Sequence, residues 1–491
     1  MQQPHENAAP AAESTGQAEE LHRGLSNRHI QLIAIGGAIG TGLFMGSGKA
    51  ISKAGPSILL VYIVIGAAIF LVLRAMGEIL LSNLNYKSFS DFTADLVGRP
   101  AGFFLGWSYW FMWVVTAVAD IIAIVGYTKM WWPDLPKAVP ALIVIIALLA
   151  LNLPSVKNFG EIEFWFAMIK IVAICALILV GIVMVATSFT TRDGSHAQIA
   201  NLWEHGGFFP NGVFGFLGAF QIAIFAFMGS ELVGTTAAET QNPTVTLPKA
   251  INSVPVRIII FYVGALLVIL MVNPWDKINP ENSPFVTMFT LAGIAIAADV
   301  VNAVVLTSAT SSANSGIFST SRMVYGLAQE GDAPKSLGVL SAQGVPRNAL
   351  FLTSTLLLSS IVLLYADESI IGAFTLVTTM ATVLVIFVWS MILISYMCYR
   401  RKRPQLHTQS VYRMPGGVVM CWVVLAFFAF SVCILATAED TRAGLMLMPI
   451  WFGGLAIGWF VKNKLHPEVP ETSITQSNPI VDLKQTSDDK K

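Results

Sequence analysis

The sequence predicts an all-α membrane protein with twelve transmembrane helices, and three observations support that fold class. Hydrophobic residues make up 55% of the 491 residues and charged residues 12%, about half the charged share of a typical soluble domain. Apolar segments of roughly 20 residues, the length of a helix that crosses a bilayer, recur along the chain. Two of these segments are interrupted by glycine near their centre, where lipid offers freed backbone groups no hydrogen-bond partner.

Proline and glycine mark several boundaries between the twelve predicted spans, and the fourth and ninth spans are short. Lysine and arginine are concentrated in the segments on the side of the two termini, which predicts that both termini are cytoplasmic. The spans cover residues 30–53, 56–83, 100–131, 139–153, 162–188, 214–240, 251–272, 297–328, 349–365, 370–397, 418–437 and 443–462.

Spans 1–5 and 6–10 each begin with an interrupted helix. Because five is an odd number, the second set crosses the membrane in the opposite direction to the first. This arrangement is an inverted repeat, and a pair of broken spans in its two halves indicates the substrate site of a secondary transporter. The predicted organisation is a disordered cytoplasmic tail (1–25), a transport core (26–400), helices 11 and 12 (401–465) and a second disordered cytoplasmic tail (466–491).

Several function classes are not expected from the composition. The net charge is zero at pH 7, so no electrostatic footprint for nucleic acid is present. The four cysteines form no CxxC pair and no metal-ligand spacing, so we expect apolar thiols and no metal site. No HExxH, GxSxG or Walker sequence occurs, so we do not expect an enzyme.

The first interruption carries four glycines within seven residues, from Gly36 to Gly42. Glycine lets the backbone leave the helix and approach a ligand closely, and a half-helix that begins near Leu43 would point its amides at a carboxylate. Helix packing through small residues is the alternative. The candidate substrate-binding residues of this segment are Ile35, Ala38, Gly40, Thr41 and Gly42.

The second interruption runs from Phe225 to Gly234, and its unwound carbonyls could accept hydrogen bonds from an ammonium group. Phe225 and Phe227 would then cap the ligand, although aromatic residues in apolar spans are more often packing residues. Glu231 lies inside the break, and a carboxyl group at membrane depth is a functional candidate. A structural acceptor for loose backbone amides is the alternative role for Glu231. The substrate-binding candidates here are Phe225, Ala226, Phe227 and Gly229.

Further ionisable side chains lie within the predicted spans. Arg74 and Glu78 are four residues apart on one helix and are predicted to pair. Asp120 and Lys170 have apolar neighbours, and because burial penalises a charged group, either could load and release a proton. A static ion pair is the alternative.

Span 8 adds one polar stripe that could line a cavity or pack against small residues. Its serines are spaced four, three and four residues apart, which places them on one helical face. They are Ser308, Ser312, Ser315 and Ser319, of which Ser312 and Ser315 are candidate lining residues.

These motifs resemble the amino-acid permeases of the amino acid–polyamine–organocation superfamily, in its bacterial amino acid transporter branch. The resemblance extends from Arg23 to Lys464. The motifs that carry it are Arg28-His29-Ile30 with the Ile35 to Phe44 break, Phe225 to Glu231 with Thr236-Ala237-Ala238-Glu239, Asn242-Pro243, Pro248-Lys249-Ala250-Ile251, Asn314-Ser315-Gly316, Ser321-Arg322 and Ala333-Pro334-Lys335.

The resemblance implies a leucine-transporter-like 5+5 inverted repeat plus two C-terminal helices. It also implies that the span-1 break binds the substrate carboxylate, that the span-6 break binds the amino group, and that Phe225 is an aromatic gate. Lys170 matches a lysine that replaces a sodium ion near spans 1 and 8, and Glu231 matches a carboxylate tied to gating or protonation. Asp120 falls where many relatives carry Glu, so the family pattern does not fix its role.

The resulting hypothesis is a proton-coupled symporter of small neutral amino acids in the bacterial cytoplasmic membrane, with tolerance of the D-configuration. It needs no cofactor, because the proton gradient drives it. Its partners are a small amino-acid substrate, protons and membrane lipid, and we expect a monomer or weak homo-oligomer. A permease for proline or an aromatic amino acid, and an amino-acid sensor that binds without transport, remain alternatives.

Overall fold

A computed structural model describes residues 39–465, except 87, 155, 236–241 and 368. The described part of the chain is helical, with one isolated β-bridge between Thr190 and His196. Its α-helices are α1 (Thr41–Phe44), α2 (Gly46–Ala54), α3 (Ile58–Ser82), α4 (Phe89–Leu96), α5 (Arg99–Thr128), α6 (Ala138–Asn152), α7 (Val156–Ala186), α8 (Gly212–Gly218), α9 (Phe220–Ala226), α10 (Leu232–Thr235), α11 (Pro243–Asn252), α12 (Val254–Arg257), α13 (Ala265–Val272), α14 (Pro284–Leu291), α15 (Ala295–Gln329), α16 (Arg347–Leu356), α17 (Ser359–Ala366), α18 (Ile370–Lys402), α19 (Pro404–Gln409), α20 (Gly417–Thr437) and α21 (Glu439–Leu465).

Nine helical segments of the described chain are long and apolar enough to cross a bilayer. Two shorter apolar helices, Ala138–Asn152 and Gly212–Ala226, coincide with predicted spans 4 and 6. The second half of predicted span 1 continues into span 2 as one helical segment, Gly46–Ser82, because a 3-10 turn at Gly55–Ser57 joins them. The chain is therefore a multi-pass membrane protein, while the count of twelve spans and the inverted repeat stay predictions.

The boundaries differ from the predicted ones mainly between the spans. Three helices fall in segments predicted as connections, namely Phe89–Leu96, Pro284–Leu291 and Pro404–Gln409. They are only six to eight residues long, too short for hydrophobic periodicity to distinguish them from loops. The predicted tails, 1–25 and 466–491, lie outside the described residues.

Helix α5 lies at the centre of the bundle. It packs most extensively against α15 and α18, and nearly nine-tenths of its most apolar stretch is buried inside the protein. In helices α7 and α20, less than a third of the corresponding apolar stretch is buried. An apolar helix surface that the protein leaves exposed suits contact with lipid. The polar side chains that α5 carries at membrane depth are therefore enclosed by protein.

The predicted Arg74–Glu78 pair is wrong. Arg74 donates to Asn252 Oδ1 at 2.8 Å and to the Arg413 carbonyl, and it lies over the Tyr412 ring. Residues four apart on a helix can pair, but that stabilises by only about 0.2–0.5 kcal/mol. Arg74 therefore pairs with residues from distant segments of the chain and not with Glu78 on its own helix.

Glu78 has three partners of its own. Its carboxylate accepts hydrogen bonds from Tyr396 Oη at 2.9 Å and from the Met414 amide at 2.7 Å, and it pairs with His407. Burial raises the pKa of the neighbouring Tyr412 to about 12, so that phenol stays neutral. We call Glu78 with His407, Tyr396 and Met414 the Glu78 cluster.

Candidate functional site

The first interruption leaves a single helical turn, α1, between extended backbone and a second helix. Gly40 precedes this turn with φ −127° and ψ −162°, and its carbonyl accepts from the amides of Leu43 at 3.2 Å and Phe44 at 3.3 Å. Helix α2 then starts at Gly46. The helix resumes at Thr41, two residues earlier than predicted. The candidates Ile35 and Ala38 lie outside the described residues.

The second interruption separates α9 from α10. The amides of Phe227 and Met228 bond three residues back, to Ile224 and Phe225, both at 3.1 Å. Gly229 then adopts φ +92°, a conformation that residues with a side chain rarely adopt. Glycine at this position therefore permits the chain to leave the helix before α10 begins at Leu232.

The carbonyls of the second break already accept hydrogen bonds within the protein. Ala226 O accepts from Tyr262 Oη at 3.0 Å, and Phe227 O accepts from Ser230 Oγ at 2.8 Å. Tyr262 lies in a π-helical stretch, Ile258–Gly264, between α12 and α13. A carbonyl oxygen has two lone pairs, so Ala226 O keeps one for a further donor, whereas Phe227 O also accepts from the Ser230 amide at 3.3 Å.

The two breaks meet at a small cavity, with room for roughly one water molecule (≈ 10 Å³). Six of its lining residues are sequence-predicted site residues. Three others, Trp113, Thr116 and Met228, are not among the predicted substrate-binding residues. The full lining is Gly40, Thr41, Gly42, Trp113, Thr116, Phe225, Ala226, Met228 and Ser312.

Two predicted residues of the second break lie away from that lining. The Phe227 ring stacks on Tyr262, with ring centroids 4.8 Å apart and planes 7° from parallel, and it also contacts Tyr62. The Gly229 amide points at the Glu231 carboxylate, 3.2 Å from Oε2. In this conformation Phe227 is a packing residue, and Gly229 shapes the backbone.

Gly42 is the point where the two breaks touch. A Cβ atom added at Gly42 would lie 2.5 Å from Ala226 Cα and 2.9 Å from Phe225 Cδ1. Helix α1 therefore packs against the end of α9 without an intervening side chain. At Gly42 the glycine therefore serves close helix packing, the alternative role given above for the glycine-rich segment. The same contact brings both breaks to one cavity.

Asp120 connects the cavity wall to a buried group of charges. The Thr41 hydroxyl donates to Asp120 Oδ1 at 2.6 Å, and Thr41 itself lines the cavity. Asp120 Oδ2 has no hydrogen-bond partner among the described residues, although Ser312 lies beside the carboxylate. Asp120 also interacts electrostatically with Lys170.

Glu163 joins this group, and the sequence reasoning missed it. It lies on α7 seven residues before Lys170, a spacing that places both side chains on one helical face. Both are wholly buried, and they interact electrostatically. That spacing is visible in the sequence, so a search for charged residues two turns from Lys170 would have found Glu163.

The serine stripe of α15 faces the breaks and the charged group. Ser308 Oγ donates to the Ile39 carbonyl at 3.1 Å, Ser311 Oγ donates to Glu163 Oε1 at 2.6 Å, and Ser312 lines the cavity. Ser315 lies beside Glu163 but forms no hydrogen bond among the described residues. The stripe, together with Ser311 on the same helix, thus links the span-1 break to Glu163.

Glu231 makes the contacts of a structural acceptor. Its oxygens accept from the Gly229 amide at 3.2 and 3.3 Å, and Oε2 also accepts from Trp389 Nε1 at 3.4 Å. These bonds satisfy donors that the broken helix leaves open. The proton-coupling role predicted for Glu231 stays a prediction.

Comparisons with known proteins agree with this architecture. The family model for amino acid permeases matches residues 29–469. The D-serine/D-alanine/glycine transporter of Escherichia coli K12 is 58% identical over 94% of this chain and 96% of its own. The amino-acid permease AapA of Bacillus subtilis is 50% identical over 91% and 96%. The aromatic amino acid transport protein AroP of E. coli O6:H1 is 40% identical over 91% and 97%.

Proposed function

The chain belongs to the amino acid permease family, and we propose that it is a proton-coupled symporter of glycine, D-alanine and D-serine. In this proposal it imports them across the bacterial cytoplasmic membrane by alternating access, with both termini inside. The single observation that carries the proposal is the cavity where the two breaks meet, one hydrogen bond away from the buried Asp120. The same cavity is thereby linked to a group that can hold a proton.

Substrate recognition is assigned to the backbone of the two breaks. The segment from Gly40 to Gly42 binds the carboxylate, and the end of α9 around Ala226 binds the ammonium through carbonyl lone pairs. These contacts involve only the groups that all α-amino acids share. Phe225 lines the cavity and contacts Phe374 of α18, with ring centroids 5.9 Å apart, which supports its role as a gate.

Small substrate size follows from the cavity walls. Trp113, Phe225 and Met228 surround a space that must widen before it admits even glycine. Each further side-chain atom adds steric cost, and overpacking typically costs about 1–3 kcal/mol, roughly a tenfold to hundredfold loss of affinity. The D-serine/D-alanine/glycine relative is also more similar in sequence than the aromatic transporter. Small neutral substrates are therefore proposed ahead of aromatic ones.

Uptake into liposomes that contain the purified protein tests both parts of the proposal. We expect an inward proton gradient to drive accumulation of labelled glycine, a protonophore to abolish it, and replacement of sodium by choline to leave it unchanged. D-Alanine and D-serine should compete, and tryptophan should not. Loss of uptake on sodium removal, with no effect of the protonophore, would refute proton coupling. Strong competition by tryptophan would favour an aromatic permease, and binding without accumulation would favour a sensor.

A further inference from the structure

Glu163 shares with Asp120 a feature that the other buried carboxylates of the described residues lack, because one of its oxygens is unused. Ser311 Oγ donates to Oε1 at 2.6 Å, whereas Oε2 has no hydrogen-bond partner among the described residues. The side chain is wholly buried. A charged carboxylate costs much free energy in such a place unless it is paired and hydrogen-bonded. A protonated carboxyl carries no net charge, so the site suits a group that exchanges a proton.

The charges around Glu163 do not balance when every group is ionised. Lys170 contributes one positive charge, and Asp120 and Glu163 contribute one negative charge each; all three are buried and coupled through Lys170. One added proton makes the group neutral, which removes the cost of burying a net charge. We call Glu163, Lys170 and Asp120 the Lys170 cluster.

The helices packed around Glu163 bring few other titratable groups. Helix α15 presents Ser311 and Ser315, and α5 presents Asp120 with Tyr127, which interacts with Asp120 electrostatically. The π-helical stretch carries Tyr262, whose hydroxyl donates to Ala226 O. Helices α13 and α14 contain no ionisable residue. Within the part of the chain that the structure describes, the proton balance near Glu163 therefore depends on Lys170 and Asp120.

We propose that Glu163 is a second proton-holding residue of the transport cycle, which takes up one proton to keep the Lys170 cluster neutral. The inference rests on the proton coupling proposed above and adds a residue to it. In the loading step a proton from water on the entry side forms an O–H bond at Oε2. That bond breaks on the exit side, and the proton returns to water. Glu163 carries the proton and does not touch the substrate.

The test compares Glu163→Gln with Glu161→Gln, the same substitution two residues earlier on α7, in full-length protein in liposomes. Two readouts are taken: glycine accumulation driven by a pH gradient, and glycine exchange at equal pH on both sides. We expect Glu163→Gln to lower accumulation at least tenfold and to flatten the pH profile of exchange, with exchange itself retained. Glu161→Gln should behave as the parent, and Glu163→Asp should restore part of the accumulation.

The outcomes separate the two proposals. If the parent protein does not accumulate glycine in a proton gradient, the proposed coupling fails. If the parent does and Glu163→Gln matches it in accumulation and pH profile, Glu163 is not a proton-holding residue. Reduced accumulation with an unchanged pH profile would assign Glu163 a structural role only and would likewise overturn the inference.

Ser311→Ala provides a second test should Glu163→Gln fail to fold. It removes the hydrogen bond to Oε1 and leaves the carboxyl group in place. Loss of a donor favours the protonated carboxyl, so we expect the pH profile of exchange to move toward higher pH. An unchanged profile in a folded Ser311→Ala protein would contradict the inference.

Discussion

Glu78 and Glu163 are both wholly buried in helices of the bundle, yet their surroundings differ. In the Glu78 cluster, His407 pairs with Oε1, and Tyr396 and the Met414 amide donate to Oε2. In the Lys170 cluster, Glu163 and Asp120 each accept one hydrogen bond and keep one oxygen without a partner among the described residues. The same functional group is thus fully satisfied in one place and half satisfied in the other.

The difference separates a structural role from a chemical one. A buried carboxylate with partners on both oxygens holds segments together, and changing its protonation would disturb several hydrogen bonds at once. A buried carboxylate with an unused oxygen can gain a proton there without losing a partner. Burial of a charged residue at membrane depth is therefore not sufficient to indicate function, and the hydrogen-bond count supplies the missing criterion.

The largest effect is expected from Lys170→Ala, which removes the only cation of the Lys170 cluster. Asp120 and Glu163 would then both be held protonated, because the Lys170 cluster would contain no cation to offset two buried negative charges. We expect gradient-driven glycine accumulation to disappear while glycine binding by purified protein remains measurable. Lys137→Ala, at the start of α6 and distant in sequence, serves as the control. A Lys170→Ala protein that concentrates glycine like the parent would make Lys170 structural.

The second prediction applies one substitution to both clusters. Glu78→Gln removes the negative charge that pairs with His407 in a buried place, and we expect a loss of stability on the order of 3 kcal/mol. In Glu163→Gln the new NH₂ group can occupy the place of the unused oxygen, so the loss should be well under half of that. Thermal unfolding of both purified variants measures the difference. Equal destabilisation would remove the distinction between the two clusters.

Much of the fold could be predicted from the sequence, because membrane spans and glycine breaks are local signals. The interruptions at Gly40 and near Gly229 are present in the structure. The partners of Glu78 could not be predicted from the sequence, because they lie more than 300 residues away along the chain. A spacing of four favoured Arg74 as the partner of Glu78, but tertiary contacts outweighed that weak helical pairing.

Some parts of the site could not be predicted for a different reason. Tyr262 reaches the second break from a π-helical stretch, and no sequence periodicity indicates such an irregularity. Phe227 carried the same sequence signal as Phe225, yet the backbone turn after Ala226 directs the two rings to different neighbours. The direction of a side chain at a helix break depends on local dihedral angles, which a hydrophobic pattern does not encode.

The third prediction concerns Asp120, the other half-satisfied carboxylate. Asp120→Asn retains an oxygen for the Thr41 hydroxyl and places its NH₂ group at the unused position, so we expect the protein to fold. It cannot exchange a proton, and accumulation should fall about tenfold, less than in Lys170→Ala because Lys170 still allows Glu163 to ionise and exchange a proton. Glycine uptake at several external pH values measures this. Accumulation as low as in Lys170→Ala would make Asp120, and not Glu163, the principal proton site.

The smallest effect is expected at Thr41, which joins the cavity to the Lys170 cluster. Thr41→Val keeps the shape of the side chain and removes the hydroxyl that donates to Asp120 Oδ1 at 2.6 Å. One buried hydrogen bond contributes roughly 0.5–1.5 kcal/mol net. The change in glycine Kd between high and low pH should therefore shrink by a factor of about 2–10. The measurement is glycine affinity as a function of pH: the parent should show a pH-dependent Kd, and Thr41→Val a flatter dependence with a similar Kd at its optimum. Thr41→Ser, which keeps the hydroxyl, is the matched control. If Thr41→Val retained the full pH dependence, the Thr41–Asp120 hydrogen bond would not be the link between the cavity and the cluster, and the serine stripe of α15 would be the remaining route.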